Sequence, residues 1–403
     1  VRVSGSYGQG EHIVEGMDDT NATGVVALDY TTDKLKLNFD AYAVRDKRDN
    51  GSPVMVSMGT IGKVIDAPSG DSNFFQNIHG EQNSQYVGAS GEYKFSPDLK
   101  VFGGAGYTEK EYSGHIFGTR MIVQNATTGA ASSQYYRVGY QEHAVAANLG
   151  LEGKFDTGAI QHTLGLRADY LTRNYWQHSA ATSNAFDTNL YNPIVDASEQ
   201  MPTSYPTIVP YVDNRYVSYT LTDQMSMLDD KLQVILGVRY QDISTESLVP
   251  YSRSTYNSDK VSPSLGIVLK PFGEDLSLYA SYVEGLSEGK TVDSTLNDVN
   301  KGKTFAPYQT KQYEVGTKYQ TGSWLNTLAL YQIEKPDTMV TVFAQADVNG
   351  NTQITTDDAK TRSRGIELST AGQLTEDLSL MANLAYIDAE YVKSGPPLKL
   401  VIL

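Results

Sequence analysis

The chain has 403 residues, no cysteine, 28 tyrosines and a formal net charge of -15. No stretch approaches the roughly 18 consecutive apolar residues of a spanning helix, which excludes an α-helical membrane protein but leaves a barrel of alternating strands open. The acidity argues against a nucleic-acid binder, which needs a basic face to displace counterions from phosphates, and the missing cysteines exclude disulfides and thiolate metal sites.

In chain order, strand-like segments fall near residues 1–8, 23–31, 34–46, 84–95, 99–109, 142–155, 160–173, 215–226, 231–243, 260–270, 275–286, 310–321, 324–335, 362–372 and 377–390. Their connections alternate between two kinds. The short ones are turn chemistries: "TTDK" at 31–34, "SPDL" at 96–99, "DTGAI" at 156–160, "LDDK" at 228–231, "PFGED" at 271–275, "TGSW" at 321–324 and "LTEDL" at 374–378. The long ones run through 9–22, 47–83, 110–141, 174–214, 244–259, 287–309 and 336–361. That rhythm predicts an all-β, antiparallel, up-and-down transmembrane barrel, with short periplasmic turns and long extracellular loops. Such a barrel also escapes the size at which a single globular core stops growing. No signal peptide is visible at "VRVSGSYGQG", so the expectation is a processed chain or one that begins inside a larger protein.

Side-chain period assigns the faces. In "TKQYEVGTKY", Tyr313, Val315, Thr317 and Tyr319 share one side, and Gln312, Glu314, Gly316 and Lys318 share the other. Likewise Leu232, Val234, Leu236, Val238 and Tyr240 oppose Gln233, Gly237, Arg239 and Gln241, and Leu35, Leu37 and Phe39 oppose Lys36 and Asn38. The apolar side is expected to meet lipid and the polar side a watery lumen, with tyrosine suited to the membrane boundary.

The stretches "SPSLGIVLKPFGEDLSLYASYVEG" (262–285), "FAPYQTKQYEVGTKY" (305–319) and "RSRGIELSTAGQLTEDLSLMANLAYIDAEY" (362–391) carry a specific order. A turn, a Tyr-rich strand, a loop, a P-x-x-T-K-Q-Y-E-x-G-x-K strand, an A-L-Y strand, a loop and an R-G-I-E-L strand follow one another. In this order the chain resembles the barrel domain of TonB-dependent siderophore receptors of the ferrichrome-receptor kind, and the likeness extends over nearly its whole length.

The resemblance implies about 15 strands of a roughly 22-stranded barrel in the bacterial outer membrane, filled in the family by an N-terminal plug. It implies a receptor and not an enzyme, with no cofactor. TonB, energised through ExbB and ExbD, would act on the plug to move a ferric siderophore across. On the same grounds residues 1–391 are expected to be a partial barrel domain lacking the plug and the last strands. Residues 392–403, ending "GPPLKLVIL", are expected to be an atypical tail from truncation or frameshift. Cobalamin, haem or a glycan are alternative cargoes, and a porin-like structural barrel is the reading from another class.

No catalytic constellation stands out. The histidines His12, His79, His115, His143, His162 and His178 are scattered, with none at H-x-x-x-H spacing. "DVNGNTQITTDD" (347–358) places Asp347, Asn349, Asn351 and Asp358 at calcium-loop positions, but Thr352 stands where glycine belongs, so a solvated loop is the simpler expectation. A bulky iron chelate needs aromatic walls and a few polar or cationic groups in the long loops and upper lumen. By position the candidates are Phe74, Phe75, His115, Phe117, Arg120, Tyr135, Tyr136, Arg137, Tyr175, Trp176, Tyr191, Tyr205, Tyr211 and Tyr308.

Overall fold

The computed structural model describes residues 1–393 except 52–54, 60, 116–118, 179–180, 194–207, 249–253, 288 and 294–295. The candidates Phe117 and Tyr205 and most of the 392–403 tail lie outside the described residues. Among the described residues all regular structure is strand. The strands are β1 (Arg2–Glu11), β2 (Asp18–Thr31), β3 (Leu35–Asp49), β4 (Met55–Ser57), β5 (His79–Ser96), β6 (Leu99–Gly114), β7 (Arg120–Val123), β8 (Ala130–Gln134), β9 (Tyr136–Thr157) and β10 (Ile160–His178). They continue as β11 (Ala181–Thr182), β12 (Phe186–Asn189), β13 (Ile208–Met227), β14 (Leu232–Ser247), β15 (Ser254–Leu269), β16 (Leu276–Ser287), β17 (Tyr308–Thr321), β18 (Trp324–Val342), β19 (Gln353–Gln373) and β20 (Ser379–Lys393).

The long strands hydrogen-bond in chain order, β1-β2-β3-β5-β6-β9-β10-β13-β14-β15-β16-β17-β18-β19-β20, and β11 adds to β9. Each expected strand is present in this sheet. The short turns form as their residues dictate, with left-handed backbone at Gly158, Gly273 and Gly322 and at Asp229 and Asp230. The expected long loops are more ordered than the sequence suggested. Residues 110–141 and 174–214 supply β7, β8, β11 and β12 and extend β9, β10 and β13 toward the loops, and β4, β7, β8 and β12 form a separate small sheet.

The chain divides into two compact units. One comprises Val1–Glu92, Gly104–Ala147 and Leu171–Asp213, and the other Tyr93–Gly103, Asn148–Tyr170 and Asn214–Leu403.

In the second unit, register turns the sequence alternation into continuous rows. Val234, Ile267, Ala280, Val315, Leu330, Ile366 and Tyr386 pair in succession across β14 to β20 and therefore share one face. From Ile267 onward the large members of this row are exposed, Val315 at 51% and Tyr386 at 67%, as side chains awaiting lipid should be. One residue along each strand, Gly266, Ser281, Glu314, Tyr331 and Gly365 make the opposite row.

On this inner face tyrosines lie flat on neighbouring glycines. A Cβ at Gly316 would fall 2.6 Å from the Tyr279 ring, and one at Gly365 would fall 2.4 Å from Tyr331. Only hydrogen fits beneath such a ring. The Tyr279 hydroxyl then donates to Glu314 Oε1 at 2.7 Å. Part of the tyrosine content thus serves the inner wall, where the composition pointed to the membrane boundary alone. A cavity of about 410 Å³ opens beside Ser277, Tyr279, Glu314 and Lys318.

In the first unit, Leu37 and Phe39 are exposed on one face, while Tyr42 on the other stacks on Tyr86 at 5.3 Å. The apolar core lies under the small loop sheet, where Phe74, Phe75, Ile78, Met121, Val123, Ala131, Tyr135 and Leu190 are buried together.

Candidate ligand-binding face

The ends of four strands that lie in the first unit bring tyrosines into one ladder. Leu149 and Leu151 on β9 and Leu164, Leu166 and Tyr170 on β10 are exposed outward, so period 2 turns Tyr140 and Tyr175 inward. Tyr112 of β6 stacks on Tyr140 at 5.4 Å, Tyr140 meets Tyr175 at 5.9 Å, and Tyr175 meets Tyr211 of β13 edge-on at 5.9 Å. Two residues along the same inner face, Arg173 Nη2 donates to Glu142 Oε2 at 2.7 Å, so this guanidinium arrives with its charge balanced.

These positions lie well beyond the nine to eleven residues that a tilted strand uses to cross a bilayer. Burial is the chief cause of raised phenol pKa values at Tyr140 and Tyr175. Glu142 adds to the effect at Tyr140, as do the neighbouring Tyr140 and Tyr211 rings at Tyr175. Both phenols are therefore protonated and uncharged at neutral pH. The ladder offers flat apolar rings edged by hydroxyl donors.

Trp176, next to Tyr175, takes the opposite face by the same alternation. It packs on His143 at 4.8 Å, and His143 packs on Tyr107 at 5.9 Å and approaches Glu109 at 3.6 Å. Tyr175 and Tyr211 are thus brought together and Trp176 is not. Tyr112, Tyr140, Glu142 and Arg173 were missed by sequence reasoning. Their signal was the inner parity of β6, β9 and β10, visible once those strands are extended past 109, before 142 and past 173.

A second polar group stands on the loop sheet. In β7, Met121 and Val123 are buried and Arg120 is exposed, and register pairs Arg120 with Gln134 of β8. Arg120 Nη2 donates to the Tyr136 hydroxyl at 2.6 Å while its guanidinium carbon lies 5.0 Å from that ring's centroid. Tyr136 in turn donates to Gln134 Oε1 at 3.0 Å. Arg120 and Tyr136 present themselves as a unit, whereas Phe74, Phe75 and Tyr135 form the floor beneath. Phe75 meets Tyr135 at 5.5 Å and Tyr135 stacks on Phe186 at 5.3 Å.

The remaining candidates are separate. His115 is buried beside His79, and Arg137 is close enough to disfavour its protonation. Tyr191 is exposed, packs over Gly129 and donates to the Asp66 carbonyl at 3.1 Å. Tyr308 is buried at the start of β17. In the 347–358 loop, the Asp347 carboxylate accepts from Asn349 N, Asn351 N and Asn351 Nδ2, closing a turn on itself. No group of three or more His, Cys, Asp or Glu able to hold a metal occurs among the described residues.

A profile of the family described as TonB dependent receptor-like, beta-barrel matches residues 18–401. The ferrichrome receptor of Yersinia enterocolitica is 30% identical over 98% of this chain and 52% of its own length. The ferrioxamine B receptor of Salmonella typhimurium is 25% identical over 91% of the chain and 50% of its own length. Among solved structures, the ferric preacinetobactin receptor of Acinetobacter baumannii aligns with a TM-score of 0.82 and 26% identity, over 97% of this chain and 57% of that one. The chain spans about half the length of the relatives it matches.

Proposed function

Because this chain belongs to the TonB-dependent receptor β-barrel family of the bacterial outer membrane, we propose that it gathers a ferric siderophore, with ferric hydroxamates as the substrate class. The observation that carries this reading is the inward ladder Tyr112, Tyr140, Tyr175 and Tyr211. Flat rings with hydroxyl edges hold a bulky organic chelate by its periphery and leave the iron to the chelator's own oxygens. Arg120 and Tyr136, and then Tyr191, supply polar contacts above. Phe74, Phe75 and Tyr135 hold the floor in place.

Charge favours hydroxamates. Three hydroxamates neutralise Fe³⁺, whereas three catecholates leave a triply negative complex. Tyr140 and Tyr175 carry no charge at neutral pH, Arg173 is balanced by Glu142, and the chain as a whole stands at -15. The relatives named for ferrichrome and ferrioxamine support the same class. Transport itself would draw on TonB with ExbB and ExbD, as is general to the family.

The test is growth of a receptor-deletion strain carrying this chain within its full-length protein, on ferrichrome or on a ferric tris-catecholate as sole iron source. Growth on the hydroxamate, with uptake reduced about tenfold or more by Tyr140→Ala with Tyr175→Ala, is the expected result, since each lost stacking contact is worth about 0.5–1.5 kcal/mol. Growth on the catecholate alone, or uptake indifferent to both substitutions, would overturn the reading.

A further inference from the structure

The histidines look scattered in sequence, but the fold places two of them against each other. His79 opens β5 and His115 follows β6, and the His115 backbone N–H donates to the His79 carbonyl at 2.8 Å. Gly114 permits this approach. A Cβ there would lie 2.4 Å from the His79 carbonyl oxygen and 2.5 Å from Gly80 Cα, and its φ of 145° suits glycine.

The two imidazoles meet with ring centroids 4.7 Å apart. His115 is 3% exposed, and neither Nδ1 nor Nε2 has a hydrogen-bond partner among the described residues. A buried imidazole with both nitrogens idle is expensive, and ordered water or a bound ion resolves it. His79 above it is exposed and gives a path from solvent.

We propose that His79 and His115 form a cross-strand site for a divalent transition-metal ion of the Zn²⁺, Ni²⁺ or Cu²⁺ class. Metal–nitrogen bonds of about 2.0–2.1 Å put each ring centroid about 3.2 Å from the ion, so two adjacent ligands sit roughly 4.5–5.2 Å apart, octahedral to tetrahedral. The observed spacing falls inside that interval. The ion would pin the loop ends of β5 and β6, and its remaining positions would be filled by water.

The experiment uses the protein purified from outer membranes in detergent, titrated with ZnCl₂ by calorimetry and with CuCl₂ by electron paramagnetic resonance. The expected result is one ion per chain, a copper spectrum with two imidazole nitrogens, and affinity at least tenfold weaker in His79→Ala and His115→Ala. His79 is exposed, so its substitution removes one ligand at a smaller cost in packing than His115→Ala, and His12→Ala serves as the unaffected control. Saturable binding that survives in the double variant His79→Ala with His115→Ala, or no saturable binding by the unsubstituted protein up to millimolar ion, would overturn the proposal.

Discussion

Asp298 is fully buried in the connection between β16 and β17. Its carboxylate accepts from Asn300 N at 2.8 Å, Thr355 Oγ1 at 2.6 Å, Thr355 N at 3.2 Å and Gln353 Nε2 at 3.1 Å, and so fastens that loop to the start of β19. Burial by itself would raise its pKa, but the bonds from Thr355, Asn300 and Gln353 prevail and hold it below the ordinary carboxylate value. A group whose folded pKa is depressed contributes stability above its unfolded pKa, about 3.9, and loses it as pH falls through the lower folded value. The clamp is therefore complete at pH 7 and opens only in strong acid. Asp298→Ala strands several buried donors, each costing about 1–3 kcal/mol. Amide exchange at residues 296–300 and 353–356 is expected to rise at least tenfold, while exchange in the sheet rows near Val315 stays unchanged.

Alternation is the property on which each strand depends. Leu278 is 41% exposed on the outward face, and Ser277 lines the inner cavity with Lys318, its cross-strand partner. An arginine on the lipid face near the midplane costs about 2–4 kcal/mol, and one facing water far less. Leu278→Arg is expected to reduce folded, heat-modifiable protein sharply, and Ser277→Arg to leave most of it intact. Equal losses for the two would contradict the facing of β16. The ladder obeys the same rule, since Tyr175 and Trp176 are neighbours in sequence and divided by a sheet in space.

For the whole molecule, the asymmetry between short turns and structured loops defines which end meets the outside. Val348 is fully exposed in the loop between β18 and β19, and Asp33 lies in the short turn between β2 and β3. On intact cells, Val348→Cys is expected to react with a membrane-impermeant maleimide and Asp33→Cys only after permeabilisation. Reversed labelling would invert the topology.

The strands, the turns and the facing of the wall were legible in the chain alone, because period 2 and turn chemistry are local and survive without any neighbour. The 15 segments read from 1–8 to 377–390 are the long strands of the sheet. The inner and outer sides of "TKQYEVGTKY" stand as its alternation indicates, with Tyr313, Val315 and Tyr319 exposed outward and Glu314 beside Tyr279 and Lys318. The company each side chain keeps emerged with folding. Short strands such as "RMIV" and "AASSQ" are too brief and too small-sided to be distinguished from loop, yet they pair and bury Met121, Val123 and Ala131. Tyr112, Tyr140, Tyr175 and Tyr211 lie up to about 100 residues apart, and His79 and His115 lie 36 apart. Hydrogen-bonded register between strands, which no local pattern encodes, is what makes neighbours of them.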